Sequence, residues 1–177
     1  MSTTLDARLA RVRLLLLDVD GVLTDGRLFY GAEGEALKAF HVRDGLGLRL
    51  AMAAGIGVGV VTGRRGPALA ARCRDLGITL IFDGVRDKAA VLDTVAARTG
   101  LRPEQMAFVG DDLVDLPLMA RVGLAVAVAD AEPELIRQAH LVTRRPGGGG
   151  AVREVCRLLL ESQGHWPAIA RAHGVRS

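Results

Sequence analysis

Aromatic residues make up only 3% of the 177-residue chain. That is too few for a stacking platform that reads single-stranded nucleic acid. Cysteine occurs twice, at Cys73 and Cys156, with neither a CxxC nor a zinc-ligand spacing. Both are read as reduced thiols packed as small apolar groups. No apolar run reaches the roughly 18 residues that a membrane helix needs. The run Leu14–Leu17 follows Arg8, Arg11 and Arg13, and the acids Asp18 and Asp20 close it. A signal peptide would carry a longer run and small residues at a cleavage site, so the expected compartment is the cytoplasm. Lysine is almost missing: the 23 basic residues are all Arg except Lys38 and Lys88. They are scattered and the net charge is only +3, which speaks against a nucleic-acid arm. A mild positive field still suits small anionic substrates. There is no GxxxxGK[ST] loop, and no GxGxxG follows the first apolar run, so a nucleotide-binding regulator is disfavoured.

What is present is enough for a core. Half of the residues are apolar and 24% are charged, which rules out wholesale disorder. The length fits one domain, expected over residues 1–163, with a partly ordered tail over 164–177. Short apolar runs at Leu14–Leu17, Ile56–Val61, Ile78–Phe82, Met106–Val109, Leu124–Val128 and His140–Val142 read as strands. Helical stretches lie between and after them: Leu46–Ala54, Pro67–Leu76, Lys88–Thr99, Leu113–Arg121, Pro133–Gln138 and Ala151–Leu160. This alternation predicts an α/β, Rossmann-like three-layer sandwich with a mainly parallel central sheet. Arg27–Tyr30 and Glu35–Phe40 flank Gly31–Gly34 and predict a β-hairpin flap after strand one. No long insertion follows it, so no cap domain is expected.

Polar residues gather at the strand ends. Asp18 and Asp20 close the first strand; Thr62, Gly63 and Arg64 the second; Asp111, Asp112 and Asp115 the fourth; and Lys88 opens the helix after the third. An Asp before a helix is ordinarily an N-cap. In open parallel sheets, however, ligands bind beyond the carboxyl ends of the strands. Carboxylates brought together stay ionised only around a cation, and an oxygen-only set without His or Cys favours Mg²⁺. A carboxylate can attack phosphorus. Thr62, Gly63 and Lys88 supply the donors that phosphoryl oxygens require.

Asp18-Val19-Asp20-Gly21-Val22 with Leu23-Thr24-Asp25-Gly26 resembles the first motif of the haloacid dehalogenase superfamily of phosphatases. Thr62-Gly63-Arg64 resembles its second motif, Lys88 its third, and Gly110-Asp111-Asp112 with Asp115 its fourth. Three segments, 38–45, 110–115 and 149–156, narrow the likeness to the 3-deoxy-D-manno-octulosonate 8-phosphate phosphatase family. That resemblance implies a capless, Mg²⁺-dependent homotetramer that acts on a sugar phosphate in lipopolysaccharide biosynthesis. It implies Asp18 as nucleophile and Asp20 as acid and then base. Mg²⁺ would rest on Asp18, the Asp20 carbonyl and Asp111. Thr62, Gly63 and Lys88 would hold phosphate, while Asp112 and Asp115 would orient metal waters or Lys88. Arg64, Arg86 and His41 are candidates for sugar contacts; the family commonly carries Asn where this chain has His41.

Other readings stand beside these. Asp25 is either a turn residue or a metal ligand. Arg64 is either a substrate ligand or a surface residue at a helix start. His140 reads as structural, Leu158–Leu160 as core, and Arg153 with Glu154 as a helix ion pair. Arg171 and Arg176 are either solvated or, as the resemblance implies, able to enter a neighbouring subunit's site. The hairpin's Leu28, Phe29 and Tyr30 are a candidate contact surface. Rival functions are a phosphatase of a nonulosonic acid 9-phosphate, such as sialic acid or its deaminated analogue, and a non-catalytic oligomerisation module. The latter is disfavoured because Asp18, Asp20, Lys88 and Asp111 are all present.

Overall fold

The computed structural model describes residues 3–175. Strand β1 (Leu14–Leu17) is four leucines, all buried. A strand without a polar face needs cover on both sides. Next come the hairpin strands β2 (Phe29–Gly31) and β3 (Gly34–Leu37), which pair antiparallel and are largely exposed. The core strands continue with β4 (Gly57–Val61), β5 (Leu80–Phe82), β6 (Met106–Gly110), β7 (Leu124–Ala127) and β8 (Leu141–Val142). Six strands form one parallel sheet in the order β5-β4-β1-β6-β7-β8. Leu16 sits between Gly59 and Phe108 at its centre.

The chain winds outward from β1 through β4 to β5, then returns to β6 and winds outward the other way. The order therefore reverses between β1 and β6. Loops diverge there and leave a crevice at the carboxyl ends. Asp18 and Asp111 follow these two strands directly.

The helices are α1 (Thr3–Arg11), α2 (Val42–Ala53), α3 (Pro67–Leu76), α4 (Lys88–Thr99), α5 (Leu116–Met119), α6 (Pro133–Gln138), α7 (Ala151–Ser162) and α8 (Trp166–Ala172). α2 packs on α7 and α3, and α1 also packs on α7; α4 packs on α5. These two groups cover the sheet in the expected three layers.

Several elements depart from the sequence expectation. α2 begins four residues before Leu46, because His41 caps it: its Nδ1 accepts the Arg43 N–H at 3.2 Å. Histidine is not among the usual caps, so no signal marked this start. The single helix expected over Leu113–Arg121 is a 3₁₀ turn, Leu113–Asp115, followed by the short α5. The Asp115 side chain turns back onto the N–H groups of Asp111 and Asp112, at 3.0 and 3.5 Å. α1 was not foreseen, although Leu5 and Leu9 of its arginine-studded sequence pack on the core. The segment after 163 continues into α8, whose Trp166 and Ile169 lie against the core. Arg171 is exposed, and Arg176 lies outside the described residues. Arg153 and Glu154 form no ion pair among the described residues; Glu154 instead accepts the backbone N–H groups of Arg144 and Arg145.

Other expectations hold. Cys73 and Cys156 are buried free thiols, and burial raises both, Cys156 to about 12. His140 Nδ1 accepts the Ala125 N–H at 2.9 Å, a structural role. Leu159 and Leu160 are buried, and Leu158 packs against the core.

Phe108 is fully buried on β6, beside β1. Phe108→Ala is expected to lower unfolding stability by about 3–5 kcal/mol, measured by urea denaturation. A loss below 1 kcal/mol would contradict this placement.

Candidate active site

Asp18 leaves β1 with its N–H still donated to Val109 on the neighbouring strand, at 3.0 Å. Asp20 follows in the same loop, two residues on. The loop then folds tightly, with the N–H groups of Leu23 and Thr24 both reaching the Val19 carbonyl. Gly21 makes the turn at φ +86°, and a Cβ there would lie 1.9 Å from Asp111 Oδ2. Only glycine allows both that conformation and that approach.

Asp18, Asp20, Thr62, Gly63, Arg64, Arg86, Lys88, Asp111 and Asp112 line one cavity of about 250 Å³. Four strand ends and the start of α4 thus deliver nine of the eleven expected residues to one place. Asp115 lies beneath the cavity, fully buried. His41 does not line it; its ring caps α2. Asp25 accepts the Arg27 N–H at 3.1 Å, as a turn residue does.

The electrostatic centre is the Lys88 ammonium. It lies 2.8 Å from Asp18 Oδ2 and 2.6 Å from Asp115 Oδ1. The Asp87 side chain caps α4 by accepting the Ala90 N–H, which fixes the helix start and hence Lys88. Burial alone would lower the Lys88 proton affinity, but Asp18 and Asp115 override it and raise it. The other Asp18 oxygen accepts the Val19 N–H at 2.7 Å. Burial, reinforced by Asp115 and opposed by Lys88, pushes the Asp18 carboxyl up to about 6. Burial, then Asp18 and Asp115, push Asp111 up to about 8.

Asp18, Asp111 and Asp115 offer oxygens within 4.8 Å of one another. Asp115 spends both oxygens on Lys88 and on backbone N–H groups. Asp111 Oδ1 is buried without a hydrogen-bond partner. One lysine is too little positive charge for this many carboxylates. The orphaned oxygen and the all-oxygen donor set fit a hard divalent cation such as Mg²⁺ between Asp18 and Asp111.

The Thr62 hydroxyl accepts the Arg64 N–H at 3.3 Å. Its backbone is fixed on both sides, with Thr62 N–H donating to Phe82 and Thr62 C=O accepting from Val85. Gly63 is exposed to the cavity.

Sequence reasoning did not assign Lys38. This hairpin residue is almost completely buried, bonds to Asp20 Oδ1, and pairs with Glu35 Oε1 at 3.0 Å. Arg64 joins the network, donating to Glu35 Oε2 at 2.9 Å and to the Tyr30 hydroxyl at 2.8 Å. A signal was available: the chain uses lysine only twice, and both ammonium groups touch strand-end acids.

A haloacid dehalogenase-like hydrolase family model matches residues 77–154. The 3-deoxy-D-manno-octulosonate 8-phosphate phosphatase of Yersinia pestis is 52% identical over 156 residues, covering 88% of this chain and 83% of that protein. Its counterpart from Escherichia coli (strain K12) is 50% identical over 164 residues, covering 93% and 87%. The Yersinia pestis crystal structure superposes with a TM-score of 0.92 at 48% identity, over 94% of this chain and 90% of that one. The Moraxella catarrhalis phosphatase of the same name, solved with magnesium, phosphate and KDO, gives 0.94 at 34% identity, over 98% and 99%. This chain belongs to the 3-deoxy-D-manno-octulosonate 8-phosphate phosphatase family of haloacid dehalogenase-like hydrolases.

Proposed function

We propose that this chain hydrolyses 3-deoxy-D-manno-octulosonate 8-phosphate to the free sugar acid and inorganic phosphate, as a cytoplasmic step of lipopolysaccharide biosynthesis. The supporting observation is the single cavity that gathers Asp18, Asp20, Thr62, Gly63, Lys88 and Asp111. A non-catalytic module would have no use for that set.

The Asp18 carboxylate attacks phosphorus, forming a new O–P bond while the bond to the sugar oxygen breaks. Asp20 gives its proton to the departing oxygen. Asp20 then takes a proton from water, which attacks the aspartyl-phosphate and releases phosphate. Lys88 fixes the attacking carboxylate and offers positive charge to the phosphoryl group. The Thr62 hydroxyl and the Gly63 N–H hold phosphoryl oxygens. The Asp18 side chain, the Asp20 carbonyl and Asp111 would hold Mg²⁺, whose charge would offset repulsion between carboxylate and phosphate. Asp115 keeps Lys88 and the Asp111 backbone in place, and Asp112 caps the following turn through the Leu113 N–H. Arg64 and Arg86 line the same cavity, which supports them as ligands of the sugar carboxylate.

Lys38 is proposed to hold the Asp20 carboxylate in position. Without a cap domain, its hairpin is the part of the chain that covers the acid. That hairpin also exposes Leu28, Phe29, Tyr30 and Leu37. Exposed apolar side chains gathered on one hairpin fit burial against other copies, and a homotetramer is proposed.

Phosphate release from a panel of eight-carbon and nine-carbon sugar-acid phosphates is expected to favour 3-deoxy-D-manno-octulosonate 8-phosphate and to stop in chelator. Asp18→Asn is expected to fold and to lose turnover. Near wild-type activity in that variant removes the nucleophile, and preference for a nine-carbon acid removes the substrate. Lys38→Met is expected to lower kcat about 10–100-fold with little change in KM, and Lys38→Arg to recover part of the loss. A change confined to KM would make Lys38 a substrate ligand instead. Light scattering is expected to give the mass of four chains, and Leu37→Glu to dissociate them; a fully active wild-type monomer refutes the tetramer.

A further inference from the structure

A larger cleft lies elsewhere. It holds about 980 Å³ and shares no lining residue with the catalytic cavity. It lies where β8, the start of α7 and α1 meet. Four arginines line it: Arg144, Arg145, Arg153 and Arg157. The one carboxylate there, Glu154, is already engaged by the backbone N–H groups of Arg144 and Arg145. Of the four guanidinium groups, only that of Arg157 has a carboxylate partner among the described residues, Glu161. Arg153 Nη1 is buried and has no hydrogen-bond partner.

A guanidinium group without a carboxylate partner leaves its charge available to an anion. Its orientation is fixed in advance. The Arg157 and Arg153 guanidinium carbons lie 3.6 and 5.6 Å from the centroid of the Trp166 ring. Stacking of this kind keeps the planar group rigid, so little freedom is lost on binding. The opposite character is also present: Leu5, Leu141, Val142 and Leu158 give the cleft an apolar wall.

We infer that this cleft is a second binding site, for a small anion that carries a diphosphate on an apolar or ring-shaped frame. Guanidinium forks match phosphate oxygens bidentately. Three such groups without carboxylate partners call for more than one anionic group, and the volume far exceeds a single phosphate. The apolar wall accounts for the uncharged part. The nucleoside diphosphates have this combination, held here by arginine forks instead of a glycine-rich phosphate loop.

The test uses the full chain and the chain's only tryptophan. Calorimetric titration with ADP in chelator-containing buffer, where turnover is blocked, is expected to show one saturable site per chain. Pyrophosphate, which does not absorb, is expected to change Trp166 emission and to bind more weakly than ADP. Arg144 and Arg145 are exposed, so Arg144→Gln/Arg145→Gln is expected to fold. That variant should weaken ADP binding about tenfold or more and leave sugar-phosphate turnover unchanged. Absence of saturable binding, or binding undiminished in the variant, overturns the site. Pyrophosphate binding as tightly as ADP overturns the role of the apolar wall.

Discussion

The active centre depends on one buried ammonium group. Lys88 is held between Asp18 and Asp115, and all three side chains are nearly or fully withdrawn from water. A buried charge is tolerable only when paired and hydrogen-bonded. Removing any of the three leaves the others uncompensated. A compact ammonium can meet two carboxylates from different elements at one point, whereas a planar guanidinium would impose a fork. The arrangement remains short of positive charge. Asp111 still presents an oxygen without a donor, and the proton affinities of Asp18 and Asp111 are raised. The fold thus prepares a site that is electrostatically incomplete alone and that, in the proposed function, a divalent cation and a phosphoryl group would complete.

This incompleteness is sustained by close backbone packing. Gly21 passes so near Asp111 that no side chain fits. A Cβ at Gly110 would lie 2.5 Å from Asp115 Oδ2. A Cβ at Gly147 would lie 1.6 Å from the Gly21 carbonyl oxygen, so the glycine-rich stretch before α7 packs directly against the loop that carries Asp20. Interiors packed this closely resist relaxation. The carboxylates therefore stay near one another despite their repulsion. Two adjacent parallel strands ending together, β1 and β6, set their separation.

The fold was legible where periodicity and punctuation agree. Leu14–Leu17 ending in an acid, Pro67 and Lys88 opening helices, and Gly77 and Gly100 closing them at positive φ are all local signals. The strand-end acids were legible for the same reason, since topology alone sends them to one rim. What was missed depends on distant partners. Lys38 pairs with Asp20 across 18 positions, on a hairpin whose orientation no local pattern encodes. Glu154 looked like a partner for its neighbour Arg153, yet its carboxylate serves a backbone turn ten residues earlier. His41 was read for its chemistry, whereas its ring nitrogen ends a helix. α1 and α8 were hidden because short helices gain stability mainly from tertiary packing, not from propensity.

The hairpin joins these themes. Its inner side is polar and tied down: Lys38 and Glu35 are largely buried against Asp20 and Arg64. Its Leu28, Phe29 and Leu37 are apolar and exposed. A two-stranded hairpin alone is marginal in water, so ion pairs to the site hold it while these apolar side chains remain uncovered. In the proposed mechanism the acid and base work falls on Asp20, the residue the hairpin grips. Any partner that covers these apolar side chains would stiffen the strands that present Lys38 to Asp20. In the proposed assembly, packing on the hairpin and proton transfer at Asp20 would meet in a single side chain, Lys38.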